Sequence, residues 1–569
     1  MLVGIDLGTT NSLVGVWKDG AAVLIPNALG SVLTPSVVGC GENGAILVGQ
    51  AARDRLVTHP KTTAATFKRF MGTDRLIPAA GRSWRAEELS ALVLGALKAD
   101  AEAFLGEPVS EAVITVPAYF NDAQRKATKA AGQLAGLKVD RLLTEPTAAA
   151  LAYGFSTGDD ESTILVIDMG GGTLDVSLLH SFEGIMEVKA AAGDIWLGGE
   201  DFTAAIAQTF MAEAGKSAGI PPFAENLPVH GALLRQAEVA KRALSDTDST
   251  VLEVNFEGRA VTWPLDRDRF EKICETLLSR IRAPLERALR DARIAPDAIS
   301  RVVFAGGATR MPMFRRMISR LLRQLPVHHI NPDEVVARGA AVRAGLLQRS
   351  EGLEERVLTD VAPFTLGVEV ANRGANGFLL QGVFLPVIER NTVVPASRSH
   401  VLHTVADNQT RVNLRIFQGE SRMVRDNVFL GEVPVGVPAK PAGEERVEVR
   451  LSYDTSGLLE VDATVLSSNW TESIVIQGNP GVLTSQEIET RREVLRKLKV
   501  HPRDDAGNAA ALARAQRLFA ESLGETREFI GQQIDQMMMA VEGQDPERIA
   551  AVRTRLSQIL DQLDRSPLG

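Results

Sequence analysis

Cysteine is scarce in this sequence: only Cys40 and Cys274 occur among its 569 residues. Two cysteines cannot build a disulfide framework, and so few are typical of a protein in a reducing compartment. Long hydrophobic runs are also missing, since none approaches the ~20 residues that a membrane-spanning helix needs. The first residues lack the charged and apolar segments of a signal peptide. These absences predict a cytoplasmic protein that has no membrane partner.

An excess of positive charge is absent as well. The chain has 62 Lys and Arg against 71 Asp and Glu, a net charge of −9, and the two signs are mixed along its length. A nucleic-acid-binding protein normally presents a basic face, so we expect no nucleic-acid partner. The length suits three or four domains with ample buried core.

The most informative segment is residues 164–176. An apolar run there ends at Asp168, three glycines and Thr173 follow, and a second apolar run contains Asp175. β-Branched residues on both sides of a glycine cluster predict a strand, a tight turn and a second strand. Successive glycines let backbone N–H groups converge on an anion. The two carboxylates at the rim of such a turn could hold a hydrated divalent ion.

A related hairpin opens the chain, where Asp6 is followed by Gly8, Thr9, Thr10 and Asn11. Two hairpins of this kind could hold one polyphosphate from two sides. They do not form a Walker loop, because a strand rather than a helix follows the glycines and no Gly-Lys-Ser/Thr motif is present. The duplication therefore predicts a nucleotide-binding site of another type.

The remaining sequence divides by its periodicity. Strands and helices alternate up to about residue 347 in an α/β pattern. We expect residues 144–147 to break a helix at Pro146, and the turn at 306–310 to lead into a helix N-terminus. Short alternating strands with Gly, Asn and Pro turns follow from 363 to about 478 and predict a β sandwich. Helical spacing dominates the remainder.

Several longer motifs resemble those of the 70-kDa heat-shock chaperones, a DnaK-like branch of the actin, hexokinase and heat-shock ATPase superfamily. These motifs are GIDLGTTNS at 4–12, VPAYFND at 116–122, EPTAAA at 145–150, DMGGGTLD at 168–175, LGGEDF at 197–202, NPDE at 331–334, DNQ at 407–409 and QGE at 418–420. The shortened ATPase region, the connector with Thr359 and Asp360, and the short helical tail are most similar to the HscC-type bacterial branch.

The resemblance implies an ATP-dependent chaperone in which ATP binding and hydrolysis control the binding and release of unfolded polypeptides. It implies a multidomain fold: an α/β actin/hexokinase-like ATPase domain, a β-sandwich peptide-binding domain and an α-helical lid. The expected boundaries are 1–349 for the ATPase domain, 350–362 for a linker, 363–481 for the sandwich and 482–569 for the lid.

The resemblance also assigns roles around the two hairpins. Lys68 is expected to reach the γ-phosphate and the attacking water, and Glu145 to orient that water. Asp6 and Asp168 are expected to hold Mg²⁺ through water molecules. Alone, such residues are more often a solvated lysine and turn or cap carboxylates. Further contacts to phosphate oxygens are expected from Gly8, Thr9, Thr10, Asn11, Gly170, Gly171, Gly172, Thr173, Gly198 and Gly199.

Four polar residues lie at spacings i, i+3, i+4 and i+7 and so share one helix face: Glu238, Lys241, Arg242 and Ser245. The spacing alone favours a salt-bridged, solvated face. The resemblance implies instead that this face binds adenosine. The opposite wall is expected to consist of Gly306, Gly307, Arg310, Asp333 and Gly339. The expected cofactors are ATP or ADP with Mg²⁺, and K⁺ is a further candidate.

In the β-rich segment, the resemblance implies a cleft for an extended apolar peptide, held by backbone hydrogen bonds and an apolar pocket. The pocket residues are Val368, Leu402, Val412 and Leu414, and Ala371 and Val405 form an arch over the peptide. Alternation alone fits an ordinary sandwich core equally well.

Communication between the two sites is expected to involve Pro117 and Arg125 as a switch and Asp360 as a docking residue. Arg141 and Asp360 mark the expected site of a J-domain cochaperone, and a nucleotide-exchange factor is a further candidate partner.

Two alternatives share the same superfamily. A small-molecule kinase would phosphorylate a sugar or an acid, and an actin-like assembly ATPase would form filaments. Both leave the β-rich segment and the helical tail without a role.

Overall fold

The computed structural model describes residues 1–40, 46–154, 161–182, 185–222, 227–256, 259–327, 330–350, 353, 357–373, 379–454, 457–476, 508, 511–512, 515, 519, 524–543 and 545–565. Most of the predicted linker before residue 357 and the first part of the predicted lid lie outside these ranges. Among the helices so described, none is both long and apolar enough to cross a membrane.

The first sheet is built around an N-terminal hairpin. Its strands are β1 Leu2–Asp6, β2 Asn11–Lys18, β3 Ala21–Leu24, β4 Thr34–Pro35, β9 Glu111–Val116 and β10 Leu142–Thr144. β1 pairs antiparallel with β2, and β9 joins the other side of β1 in parallel, which gives the order β10-β9-β1-β2-β3 with β4 also on β2. Two small hairpins stand beside it: β5 Val38–Cys40 with β6 Ile46–Val48, and β7 Ile77–Ala79 with β8 Arg82–Trp84.

The second sheet repeats this arrangement. Its strands are β11 Ser162–Met169, β12 Leu174–Phe182, β13 Ile185–Asp194, β16 Arg301–Ala305, β17 Val357–Val361 and β20 Val393–Val394, and a separate hairpin contains β14 Ser249–Phe256 and β15 Arg259–Asp266. β11 and β12 form the antiparallel hairpin, and β16 joins β11 in parallel, in the order β16-β11-β12-β13-β17-β20. The predicted strand–turn–strand at 164–176 is confirmed.

Helices cover both sheets. They are α1 Gln50–Thr58, α2 Ala86–Leu105, α3 Asp122–Leu134, α4 Glu145–Ala152, α5 Gly199–Phe210, α6 Leu227–Asp246, α7 Arg267–Ile273, α8 Glu275–Ala292, α9 Pro312–Leu322 and α10 Val335–Leu347. Asn121 caps the start of α3, where its side chain accepts the Gln124 N–H at 2.9 Å. The expected break at Pro146 is wrong: α4 begins at Glu145, because proline in the first helical turn lacks only an N–H that would be unpaired there.

Helix α10 packs so closely on α4 that only glycine fits at one crossing point. A Cβ atom on Gly339 would lie 1.7 Å from the carbonyl oxygen of Ala148. Gly339 therefore serves helix packing, and its expected place in the adenosine wall stays a prediction.

The β-rich segment contains two four-stranded antiparallel sheets. Their strands are β18 Leu366–Arg373, β19 Leu379–Ile388, β21 Ala396–His403, β22 Arg411–Gln418, β23 Val428–Gly436, β24 Arg446–Tyr453, β25 Leu459–Val465 and β26 Trp470–Ile476. The strand orders are β19-β18-β22-β23 and β21-β24-β25-β26. One hydrophobic core, including Val368, Leu414, Val449 and Val461, joins the inner faces of both sheets. Beyond it, α11 Gly524–Glu542 and α12 Pro546–Arg565 share a separate core with Ala511 and Ala515.

Strand β17 connects the two halves of the chain. It pairs in parallel with β13 of the second sheet and antiparallel with β20, which immediately precedes β21. Residues 357–361 of the predicted linker are therefore part of a sheet rather than an isolated connector, because the edge of β13 offers unpaired backbone groups.

Candidate nucleotide-binding site

The two glycine hairpins face each other across a cavity of about 80 Å³. A Cβ atom on Gly172 would lie 2.5 Å from Thr9 Cγ2, and one on Gly171 would lie 1.7 Å from Thr10 Oγ1. Only residues without a side chain permit this approach. The predicted residues that line the cavity are Asp6, Gly8, Thr9, Thr10, Asn11, Lys68, Glu145, Asp168, Gly170, Gly171, Thr173, Gly306, Gly307 and Asp333.

A buried ion pair lies between the hairpins. Lys68 Nζ donates to Glu145 Oε1 at 2.8 Å, and the two residues are 3% and 6% exposed. The ammonium also lies 5.5 Å from the centre of the Phe120 ring, so an aromatic face borders it. Lys68 is carried by a 3₁₀ helix, Phe67–Phe70, and Glu145 is the first residue of α4. The solvated-lysine alternative is therefore wrong.

Three aspartates surround this pair, and their charges are poorly compensated. Burial and the neighbouring Glu145 raise the pKa of Asp6 to about 7, although Lys68 and a hydrogen bond from Thr115 oppose the shift. Burial and Glu145 also raise the pKa of Asp175 to about 7. Burial, Glu145 and the two other aspartates raise the pKa of Asp168 well above its usual value. Such a cluster favours protons or a cation.

Asp175 also holds the second hairpin in place through a hydrogen bond. Its Oδ1 atom accepts the backbone N–H of Tyr119 at 3.0 Å, which ties β12 to the segment after β9. Among the described residues, no group of three or more His, Cys, Asp or Glu side chains has the geometry of a direct metal site. The predicted ligation through water does not require such a group.

The loop with Gly198 and Gly199 packs directly on the glycine turn. Gly199 N–H donates to Gly170 O at 2.9 Å, and Gly198 N–H donates to Asp201 Oδ2 at 2.8 Å. A Cβ atom on Gly198 would lie 2.5 Å from the nitrogen of Gly172. Both N–H groups donate to other parts of the protein in this structure, and their expected contact with phosphate stays a prediction. The absence of side chains at these glycines lets the loop and the turn touch.

The helix face on α6 is a network of ion pairs. Glu238 Oε2 lies 2.6 Å from Lys241 Nζ, and its Oε1 accepts from Arg242 Nε at 2.7 Å. Burial would raise the pKa of Glu238, but Lys241 and hydrogen bonds from Thr203 and Arg242 hold it below its usual value. Lys241 also donates to Gly199 O at 2.8 Å. The network joins α6 to the glycine loop beside the cavity between the hairpins.

The residues of the expected opposite wall contact one another, whereas Ser245, the fourth residue of the α6 face, lies away from both cavities. Arg310 pairs with Asp333 at 2.9 Å, and a Cβ atom on Gly307 would lie 2.5 Å from Asp333 Oδ1. A cleft of about 810 Å³ is lined by Glu238 and Arg242 and shares Thr9 and Thr10 with the cavity between the hairpins. Ser245 lines neither space, and its carbonyl accepts from Arg267 instead.

The six predicted peptide-binding residues are split between core and surface. Val368 and Leu414 are buried in the core that the two sheets share, and Leu402 and Val412 pack against its margin. Ala371 is half-buried and Val405 is 41% exposed. β21 ends at His403 and β22 begins at Arg411, so Leu402, Val405 and Val412 lie at one end of the two sheets.

The coupling residues do not form one cluster. Pro117 follows β9, and Arg125 donates to the carbonyls of Phe120 and Ala118. Burial raises the pKa of Asp360, and the charge that opposes this shift belongs to Arg125. Arg141 lies beside Arg343, whose pKa falls because of burial and this like charge.

Sequence reasoning missed the polar contacts that join the β-rich segment to α8, β13 and α3 of the α/β part. Arg390 forms a bidentate pair with Asp291 at 2.8 and 2.9 Å and also donates to Glu420 at 2.5 Å. Asn391 donates to Asp291 and accepts the Ala191 N–H at 3.0 Å. Lys126 Nζ donates to Ile476 O at 3.0 Å. These residues carry no local pattern, since the partners are up to 350 positions apart.

The two related sheets hold a polar cavity between their glycine hairpins, and a buried lysine–carboxylate pair lines this cavity. This arrangement is that of an ATPase. The chain belongs to the Hsp70 family: the family model described as Hsp70 protein matches residues 2–79 and 74–566. It is 43% identical to the chaperone protein DnaK of Thermotoga petrophila. The alignment spans 488 residues, which are 84% of this chain and 80% of the relative. The chaperone protein DnaK of Thermotoga maritima matches to the same extent.

The protein is therefore an ATP-dependent molecular chaperone that hydrolyses ATP. Neither the kinase nor the assembly ATPase is favoured by these similarities. The assignment to the HscC-type branch stays a prediction, because both of these relatives are DnaK chaperones.

Proposed function

We propose that ATP is hydrolysed in the cavity between the two hairpins, and that this reaction controls the binding of extended apolar peptides by the β-rich segment. The observation that carries the proposal is the buried Lys68–Glu145 pair, which faces the cavity among three aspartates. Phosphoryl transfer requires positive charge at the transferred group and a positioned water molecule. The Lys68 ammonium supplies the charge, and Glu145 orients the water.

Mg²⁺ fits the chemistry of this cavity. The raised pKa values of Asp6 and Asp168 indicate that their carboxylates lack sufficient positive charge in the ligand-free protein. Hard oxygen donors of this kind suit Mg²⁺, which retains several of its waters. When bound, the ion neutralises charge on the phosphate oxygens. The hairpin turns also carry three threonines that line the cavity, Thr9, Thr10 and Thr173. Their hydroxyls can donate to phosphate oxygens.

We expect the affinity for Mg²⁺ with ADP to fall as the pH is lowered from 8 to 6. Asp6 and Asp175 have pKa values of about 7 in the folded protein and about 3.8 when unfolded, so the folded state binds more protons in between. The cation must displace those protons, and each one displaced lowers the affinity by up to about tenfold per pH unit.

Calorimetry in two buffers with different ionisation enthalpies measures the proton release directly. Because these pKa values are higher in the folded than in the unfolded protein, the ligand-free protein loses stability as the pH rises from about 4 to 7. Mg²⁺ with ADP should therefore increase the stability more at pH 8 than at pH 6. Equal affinity and no proton release across this range would contradict the assignment of the cavity.

We propose that adenosine lies between the α6 face and the Gly306–Gly307 wall. Support comes from Gly199, where an added Cβ atom would lie 3.2 Å from Lys241 Nζ and 3.4 Å from Ala308 Cβ. The two walls are thus near neighbours at the edge of the phosphate cavity. Glu238 and Arg242 border the open cleft, so their side chains can move to contact a nucleoside. The Arg310–Asp333 ion pair stabilises the opposite wall.

We propose the domain division 1–349, 350–362, 363–481 and 482–569, with the peptide cleft at the end of the two β-rich sheets. Leu402 comes from one sheet and Val412 from the other, and both are only partly buried. Val405 is exposed beside them, and Ala371 lies near the corresponding end of β18. Partly buried apolar side chains at a strand end can accept an apolar residue of an extended chain. Val368 and Leu414 support this pocket from below.

Val412→Phe should lower the affinity for a labelled extended apolar peptide at least about tenfold, because the larger ring fills the pocket at the strand end. The same variant should lose the rise in ATP turnover that such a peptide causes in the unmodified protein. Fluorescence anisotropy and steady-state turnover, each with and without peptide, are the measurements.

Val401→Phe is the matched control. Val401 is 46% exposed on β21, in the other sheet, and this variant should retain both peptide effects. Undiminished peptide affinity in Val412→Phe would move the cleft elsewhere. Turnover that never responds to peptide in the unmodified protein would argue against coupled sites.

We propose that β17 and the contacts of Arg390 and Lys126 represent one of two arrangements of the ATPase and peptide-binding parts. Coupling requires two states that each ligand favours differently. Asp360 belongs to β17, and Arg125 on α3 acts on its charge, so the strand and the predicted switch are linked electrostatically.

Partners other than unfolded polypeptides remain proposals. Arg141 is exposed beside Arg343, and these two positive charges suit the acidic residue of a J-domain cochaperone. A nucleotide-exchange factor is proposed as a second partner. We propose the cytoplasm as the compartment, because so few cysteines suit reducing conditions.

A further inference from the structure

Arg69, the residue that follows Lys68, contacts two other segments of the site. Its Nε atom donates to the carbonyl oxygen of Gly172 at 3.0 Å, and its two terminal nitrogens donate to the Asp201 carboxylate at 2.5 and 3.3 Å. The side chains of Arg69 and Asp201 are 13% and 25% exposed. Asp201 Oδ2 also accepts the N–H of Gly198. One guanidinium therefore uses all three nitrogens to join the Lys68 segment, the glycine turn and the start of α5.

These contacts cross from one half of the site to the other. Lys68 and Arg69 belong to the 3₁₀ helix beside the first sheet, whereas Gly172 lies in the turn of the second sheet between Asp168 and Thr173. Glu145, the partner of Lys68, follows β10 of the first sheet. The Lys68–Glu145 pair therefore stays on the first side. Arg69 is the neighbouring group that fixes this side relative to the turn of the second sheet.

The short helix that carries Lys68 needs such support. It has four residues, and Thr66 before it adopts a left-handed backbone conformation with φ of 55°. A fork of parallel N–H groups restrains direction as well as distance, which a lysine ammonium cannot do. Catalytic groups misplaced by about 1 Å can lose roughly a hundredfold in rate.

We propose that Arg69 is a positioning residue for ATP hydrolysis: it sets the distance between the Lys68 ammonium and the phosphate-binding turn of the second sheet. The inference rests on the proposed assignment of the cavity as the hydrolysis site. Arg69 itself touches Gly172 O and Asp201 rather than the cavity, so it acts through Lys68 and the turn.

The test compares Arg69→Gln, Arg69→Lys, Asp201→Asn and the double variant Arg69→Gln/Asp201→Asn in the full-length protein. Single-turnover hydrolysis of ATP should slow by about 10- to 100-fold in Arg69→Gln. The Kd for ATP should change by less than about threefold, since no direct nucleotide contact is lost. Arg69→Lys should recover only part of the rate, because it keeps the charge but not the fork. The double variant should be no slower than Arg69→Gln, because both changes remove the same pair.

Arg75→Gln is the matched control. Arg75 lies six residues further along, is exposed and stacks 4.0 Å from the Phe70 ring, so its loss should leave the hydrolysis rate unchanged. A wild-type single-turnover rate in Arg69→Gln would overturn the inference. So would a parallel loss of rate, ATP affinity and melting temperature, since that combination indicates only a structural role.

Lys68→Ala separates this inference from the assignment of the site. If Lys68→Ala retains normal turnover, the cavity is not the hydrolysis site and both proposals fail. If Lys68→Ala loses turnover while Arg69→Gln retains it, the site stands and the role of Arg69 alone is wrong.

Discussion

Lys68→Ala should reduce single-turnover ATP hydrolysis at least about a hundredfold while ATP still binds. The Lys68 ammonium opposes the rise in the pKa of all three aspartates, Asp6, Asp168 and Asp175, and it lines the cavity between the hairpins. Its removal takes positive charge from the position where the transferred phosphoryl group needs it. Rapid mixing with radiolabelled ATP measures the rate, and equilibrium titration measures the binding.

The same variant should be less stable in the absence of nucleotide. Glu145 would remain 6% exposed without its partner, and removing one member of a buried pair costs about 3–5 kcal/mol. Lys68→Ala/Glu145→Gln should recover much of this stability but not the hydrolysis rate. Lys61→Ala is the control, because Lys61 is exposed in a neighbouring 3₁₀ helix. Normal hydrolysis by Lys68→Ala would remove the central assignment of the site.

Arg390→Ala should largely abolish the effect of ATP on peptide affinity. Arg390 donates two hydrogen bonds to Asp291 on α8 and a third to Glu420, so it joins α8 to the β-rich segment. Allosteric coupling energies are typically about 1–3 kcal/mol, and loss of this contact should reduce an ATP-induced change in peptide Kd by about tenfold or more. Anisotropy titrations of a labelled peptide with and without ATP measure this change.

Variants of the neighbouring residues isolate the docking contact. Asp291→Ala should give the same defect, and the double variant should add little, because the two residues share one interaction. Arg425→Ala is the control, since Arg425 is largely exposed and its pairing with Asp426 is long at 3.7 Å. If ATP changes peptide affinity fully in Arg390→Ala, the observed docking of the two halves does not carry the coupling.

Sequence reasoning was most successful where function depends on local chemistry. The glycine turn at 170–172 was predicted as a strand–turn–strand because glycine clusters between β-branched runs have few other uses. The Asn121 cap depends on equally local chemistry, since its side chain accepts an N–H only three residues away. By contrast, the chain around Pro146 was predicted as a break, although proline is equally suited to the start of α4.

Predictions that depend on distant partners were less successful. Ser245 shares the periodicity of Glu238, Lys241 and Arg242, but its carbonyl accepts from Arg267, which a helix pattern cannot reveal. The N–H groups of Gly198 and Gly199 donate to Asp201 and Gly170 in this structure, which their motif did not indicate. The contacts of Arg69 and Arg390 were not predicted from the sequence, although Arg69 directly follows Lys68.

The sequence by itself determined the two phosphate-type hairpins, the change from α/β to β-rich pattern near residue 350 and, through its motifs, the Hsp70 family. The tertiary structure decided which charges share a site and which parts of the chain dock. It put Lys68 and Glu145 together from 77 positions apart and inserted β17 beside β13. The physical reason is that turns and caps are set by neighbours along the chain, whereas charge balance and strand pairing depend on burial and on which distant surfaces meet.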